Sequence, residues 1–80
     1  MTYSDIIVKR LQDLCEQKEI TVNRLATLSG ITQSTLEYIM DGKSKNPTLK
    51  TLHRIATGLD MTVSELLDFP EVNETVFDDE

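Results

Sequence analysis

An all-α fold, a bundle of five short helices, is predicted by three features of the chain. Leu, Ile, Val and Ala recur at three- and four-residue spacings in five separate stretches. A threonine stands at the start of each stretch, where a side-chain oxygen can hold a free backbone N–H. Aromatic residues make up only 5% and there is no Trp, a composition that suits small helices packed on one another. With 80 residues and 39% hydrophobic content there is apolar surface for one modest core, so an active-site cleft with a lid is not expected.

The elements follow in order. Helix one is expected over residues 3–17: Thr2 with Asp5 three residues later has the spacing of a capping box, and Ile7, Leu11, Leu14 and Cys15 share a face. Thr21 is placed to cap helix two, 22–29, whose Val22, Leu25, Ala26 and Ser29 lie together. Gly30, the residue best able to take positive φ, stops it. Ile31 then enters the core, Thr32 caps helix three over 33–41, and Gly42 terminates it. Beyond the loop "KSKNP", helix four spans 48–58 with Leu49, Leu52, Ile55, Ala56 and Leu59 inward and Gly58 near its end. Helix five, 63–68, begins at the capping box Thr62 to Glu65 and carries Val63, Leu66 and Leu67. The expected core is Leu11, Leu14, Leu25, Ala26, Ile31, Leu36, Ile39, Leu52, Ile55 and Leu66. Residues 1–69 then form one domain. Pro70 opens an acidic tail, 70–80, expected to be mobile because so few apolar side chains cannot offset the entropy of ordering it.

The net charge of −6 argues against a nucleic-acid partner until it is located along the chain. Residues 71–80 carry five acids and no base, which leaves nine acids against eight bases over residues 1–70. From Lys43 to Arg54 there are Lys43, Lys45, Lys50 and Arg54 and no acid at all. At short range a phosphate backbone senses that local positive edge rather than the global sum.

Other classes of function are unsupported. No apolar run approaches the roughly 18 residues of a membrane span, and "MTYSDIIVKR" lacks the layout of a secretory signal, so a cytoplasmic protein without membrane contact is expected. Cys15, the single cysteine, reads as a small core side chain, and the single His53 has no ligand-spaced companion. No metal site and no cofactor are expected. Nothing aligns a Ser, His or Asp as a nucleophile with an oriented base, so the chain is not read as an enzyme.

Helix three carries the functional signal. At 100° per residue Gln33, Ser34, Glu37 and Tyr38 fall within an arc of about 140°, opposite Leu36, Ile39 and Met40. Amides and hydroxyls near a helix N-terminus can exchange hydrogen bonds with base edges in a major groove, and the free N–H groups there favour phosphate. Ala26 supplies a small side chain where helix three crosses helix two.

The stretch "TVNRLATLSGITQSTLEYIMDGK" resembles the helix-turn-helix of the phage Cro/repressor-type (XRE) regulators, with Leu25, Ala26, Gly30, Ile31 and Leu36 at that family's Leu, Ala, Gly and aliphatic positions. The likeness extends through "GKSKNPTLKTLHRIATGLDMTVSELLD". It implies a five-helix, lambda-repressor-like DNA-binding domain with the helix-turn-helix at helices 2 and 3. By the same resemblance the protein binds double-stranded DNA at a two-fold symmetric operator as a homodimer, and regulates transcription as a repressor. Gln33, Ser34, Tyr38 and Glu37 match base-contacting positions. Arg24, Thr32, Lys43, Lys45 and Asn46 match phosphate-contacting ones. Two positions depart from the family. Its Gln at the start of helix two, which braces the first Gln of helix three, is Val22 here. Its Arg and Glu, paired between helices one and three, are Cys15 and Met40, an apolar replacement that avoids desolvating an ion pair. The acidic tail and Val22 leave open an alternative, a protein-interaction module of the same fold with weak or no DNA binding, such as the partner of a regulator or a toxin.

Overall fold

The computed structural model describes residues 3–43 and 46–74. Among them are six helices: α1 Tyr3–Gln17, α2 Val22–Ser29, α3 Gln33–Met40, α4 Leu49–Gly58, α5 Val63–Leu67 and α6 Pro70–Asn73. No helix among these residues is long and apolar enough to cross a membrane.

Threonines set the starts. Thr21, Thr32, Thr48 and Thr62 are extended N-caps whose side chains accept the N–H of Arg24, Thr35, Thr51 and Glu65. At Thr62 the box closes, with the backbone N–H donating back to Glu65 Oε1 at 2.9 Å. Thr48 caps α4 rather than beginning it, and Thr2 lies outside the described residues.

The stops share one geometry. At the ends of α1 to α4 one residue, at or just after the cap, takes positive φ: Glu19 (55°), Gly30 (68°), Gly42 (73°) and Asp60 (59°). In each case the next residue's N–H reaches back to the last turn: Ile20 to Cys15, Ile31 to Ala26, Lys43 to Tyr38 and Met61 to Ala56, at 2.9–3.2 Å. Ile20, Ile31 and Met61 turn inward against the core. Lys43 stays exposed.

One core joins every element up to Phe69. Leu11, Leu25, Leu36, Ile55, Leu59 and Leu66 are its largest fully enclosed members. The expected core residues are buried or packed against it, with Ile31 and Leu52 at its partly exposed margin. Cys15 is buried and Met40 lies against the same cluster, so both members of the apolar replacement face inward. Burial raises the Cys15 pKa above the ordinary thiol value by desolvation.

Two expectations need correction. Leu49, read as inward, is 67% exposed. It occupies the first helical position, about 70° from the centre of the buried arc of α4. Gly58 closes α4 as its last residue, near the end as expected, with Leu59 as the cap and Asp60 in the left-handed turn. The regular structure also does not end at Pro70. Proline at a first helical position starts α6, a use for which its fixed φ is suited. Phe69 is buried beneath the Arg10 guanidinium, 5.0 Å from ring centroid to carbon, and Val72 packs on the core. Residues 75–80 of the acidic tail lie outside the described residues.

Candidate nucleic-acid interface

The site begins with the turn between α2 and α3. Gly30 and Ile31 bond back to Thr27 and Ala26, which fixes the direction in which the chain leaves α2. Thr32 then starts α3: its Oγ1 accepts from the Thr35 N–H at 3.1 Å and donates to Thr35 Oγ1 at 2.8 Å. Leu36 and Ile39 anchor the inner side of α3. Gln33, Ser34, Glu37 and Tyr38 are all exposed on its outer side, and Tyr38 keeps 54% of its surface accessible. The buried edge and the exposed polar edge expected of this helix are both present.

Side chains around α3 are arranged for hydrogen bonding. Gln33 Nε2 donates to Glu37 Oε1 at 2.9 Å, one helical turn on. Val22 packs against the core instead of supplying an amide, so the brace on Gln33 comes from within α3. Ser34 and Tyr38 line an open groove of about 400 Å³ whose other wall is Asn46, Pro47 and the start of α4.

The N-termini of α3 and α4 face the same region. Neither has an acidic residue in its first turn, which leaves their positive ends unneutralised. A second recess joins them, lined by Gly30, Thr32, Thr35, Lys50, Thr51 and Arg54. Arg54 Nη1 donates to the Gly30 carbonyl at 3.3 Å, tying α4 to the turn.

The expected phosphate contacts stand as follows. Arg24, Lys43 and Asn46 are exposed. Lys43 is also fixed at its backbone by the bond to Tyr38, so the lysine has a set origin beside the polar face of α3. The Thr32 hydroxyl is taken up by the cap, which leaves its neighbourhood's backbone N–H groups rather than the hydroxyl for an anion. Lys45 lies outside the described residues. Sequence reasoning did not single out Thr35 and Thr51, whose hydroxyls line the grooves. The repeated T-x-x-T spacing, Thr32 to Thr35 and Thr48 to Thr51, is the signal that marks them.

A capped helix, a glycine-turned corner and a second helix with an exposed polar face define a helix-turn-helix protein. Comparison with known proteins gives the particular family. Residues 10–71 match the model of the Cro/C1-type HTH DNA-binding domain, and the chain belongs to that family of DNA-binding transcriptional regulators. It is 32% identical over 59 residues to the SPbeta prophage-derived HTH-type transcriptional regulator YopS of Bacillus subtilis, covering 74% of this chain and 80% of that one. To the HTH-type transcriptional regulator SinR of the same organism it is 30% identical over 73 residues, covering 91% of this chain and 64% of SinR. The crystal structure of the prophage Lp1 protein 11 superposes with a TM-score of 0.82 at 36% identity, covering 94% of this chain and 99% of that one.

Proposed function

We propose that the protein is a sequence-specific repressor that acts in the cytoplasm as a homodimer, each copy inserting α3 into the major groove of one half of a two-fold symmetric operator. The observation that carries this reading is the α3 surface: four neighbouring polar side chains, Gln33, Ser34, Glu37 and Tyr38, project from a helix held rigidly by Leu36 and Ile39. Gln33, Ser34 and Tyr38 are the readers of base edges, with Glu37 on the same face. Arg24, Lys43, Lys45, Asn46 and the N-termini of α3 and α4 hold the phosphate backbone, setting register without carrying sequence information. The acidic stretch at the far end of the sequence leaves this edge positive.

Selection of bound sequences from a random duplex library tests the proposal, followed by affinity measurements over a range of salt. The expected result is an enriched palindrome with half-sites about one helical turn apart and log affinity falling linearly with log salt. Failure to enrich any sequence would remove the reading. A stable complex with a protein partner and no duplex binding at low salt would replace it with the interaction-module alternative.

A further inference from the structure

We propose that Glu37 is a positioning residue that locks the Gln33 amide in one orientation and so makes the base read by Gln33 an adenine; this rests on the reading of α3 as the recognition helix. A primary amide has two faces that differ by a half-turn, one led by its carbonyl oxygen and one by its nitrogen, and a free Gln side chain presents either. The Gln33 amide is not free. Its Nε2 lies 2.9 Å from Glu37 Oε1, and an ionised carboxylate can only accept hydrogen bonds, so the nitrogen must face Glu37. Exchange of the two amide ends would set oxygen against carboxylate.

What remains for a ligand is fixed by this contact. The second N–H of Gln33 and its carbonyl oxygen form a donor beside an acceptor, the complement of adenine, whose major-groove edge carries the N7 acceptor and the N6 donor. Guanine presents N7 and O6, both acceptors, and would meet the Gln33 oxygen with its own. A free amide could turn both N–H groups towards guanine, whereas the clamped one has a single N–H left, beside an oxygen that guanine's acceptors oppose. Glu37 acts on the base through Gln33, and its own charge opposes the nearby phosphates.

Two measurements test the proposal, with variants at exposed positions that leave the core untouched. The first needs no DNA: in NMR spectra of the full chain, the Gln33 side-chain amide protons should shift as Glu37 titrates, and the shift should vanish in Glu37→Ala. Absence of the shift overturns the clamp. The second compares duplexes carrying adenine or guanine at the position where Gln33→Ala relaxes preference. Glu37→Ala should lower the adenine-to-guanine affinity ratio about twofold, the scale of one side-chain pair on a helix surface, while affinity for unrelated duplexes stays equal or rises. In the Gln33→Ala background the same change should alter no base preference. An unchanged ratio, or a preference change that persists without Gln33, overturns the proposal, the latter by showing that Glu37 reads a base itself. A parent protein that binds no duplex at low salt overturns the underlying reading of α3, an outcome the titration shift distinguishes from failure of the clamp.

Discussion

Gly58 of α4 lies directly against Ser29 of α2. A Cβ built on Gly58 would stand 2.9 Å from the Ser29 backbone nitrogen and closer still to its Oγ. The hydrogen atom of glycine thus sets how closely the two helices approach. Ser29 is buried, and its Oγ has no hydrogen-bond partner among the described residues. Gly58→Ala should destabilise the fold by about 1 to 3 kcal/mol, because the obstacle is backbone and cannot rotate away. Ser29→Ala should not, since it removes a buried hydroxyl that bonds to nothing, and it should not rescue Gly58→Ala. Urea denaturation of the two single variants and the double variant checks this. Equal stability of Gly58→Ala and the parent would refute the close approach.

Arg10 fastens the end of the bundle. Its Nε donates to the Leu66 carbonyl and its Nη2 to the Glu65 carbonyl, both at 3.0 Å, and its guanidinium covers Phe69. A single planar group thus serves two carbonyls in the last turn of α5, of which Glu65 also accepts the Asp68 N–H, and covers one buried ring. Arg10→Met should cost about 1 to 2 kcal/mol, discounted for the solvent exposure of one bond, and Arg10→Lys should not restore the loss because an ammonium cannot make the same fork. Hydrogen exchange should accelerate chiefly in residues 66–73. A uniform acceleration over the whole chain would instead place Arg10 in the global stability alone.

Glu19 and Asp60 occupy left-handed turns that disfavour side chains with a Cβ. Glu19→Gly and Asp60→Gly should each raise stability by up to about 1 kcal/mol, the gain in native-state strain being reduced by the extra freedom glycine gives the unfolded chain. Thermal melts read the effect. Gly30→Ala and Gly42→Ala at the equivalent turns should lower the melting temperature, and the opposite sign in either pair would contradict a shared helix-stop geometry.

These four stops also show what the amino-acid order reveals and what it conceals. Gly30 and Gly42 mark their turns by residue type, and Thr21, Thr32, Thr48 and Thr62 mark the starts, so α2 to α5 are legible to within a residue. Glu19 and Asp60 carry no such mark, because the bonds from Ile20 and Met61 are tertiary consequences of apolar side chains turning inward. Gly58 is placed near the end of its helix by the sequence, whereas its packing role depends on Ser29, 29 positions earlier in the sequence. Phe69 and α6 were hidden for a similar reason: Pro70 punctuates in either direction, and only the ring's seat under Arg10 decides that a helix begins there. The polar face of α3 was visible from periodicity alone, but the bond between Gln33 and Glu37 required rotamers.

The Glu65 carboxylate should make part of the stability depend on acid. Hydrogen bonds from the Thr62 backbone, then from its side chain, lower the Glu65 pKa below the ordinary carboxylate value. A folded-state pKa below the unfolded one gives stabilisation that is present above the unfolded value, about 4.3, and lost as pH falls through the folded one. Glu65→Gln should therefore narrow the stability difference between neutral and acid pH relative to the parent. Denaturation midpoints across that range measure it, and an identical acid limb in both proteins would exclude the box as a contributor.

On the proposed reading, Lys43 and Gln33 have separate tasks, anchoring and base recognition. Lys43 has its backbone bonded to the Tyr38 carbonyl and its side chain in solvent, at the one helix stop of the four where the following residue does not turn into the core. An apolar residue there would serve the fold as Ile20, Ile31 and Met61 do, so the choice of lysine points to a task outside the fold. Lys43→Ala should leave stability within about 0.5 kcal/mol of the parent, weaken binding to all duplexes alike and reduce the salt slope by about one unit. Gln33→Ala should cost about 1 to 3 kcal/mol on the selected site, with little change on random DNA or in the salt slope. Binding isotherms for both variants on both kinds of duplex, at three or more salt concentrations, separate the two roles. The same proportional loss on specific and random DNA from both substitutions would mean that α3 is held against the duplex without reading it.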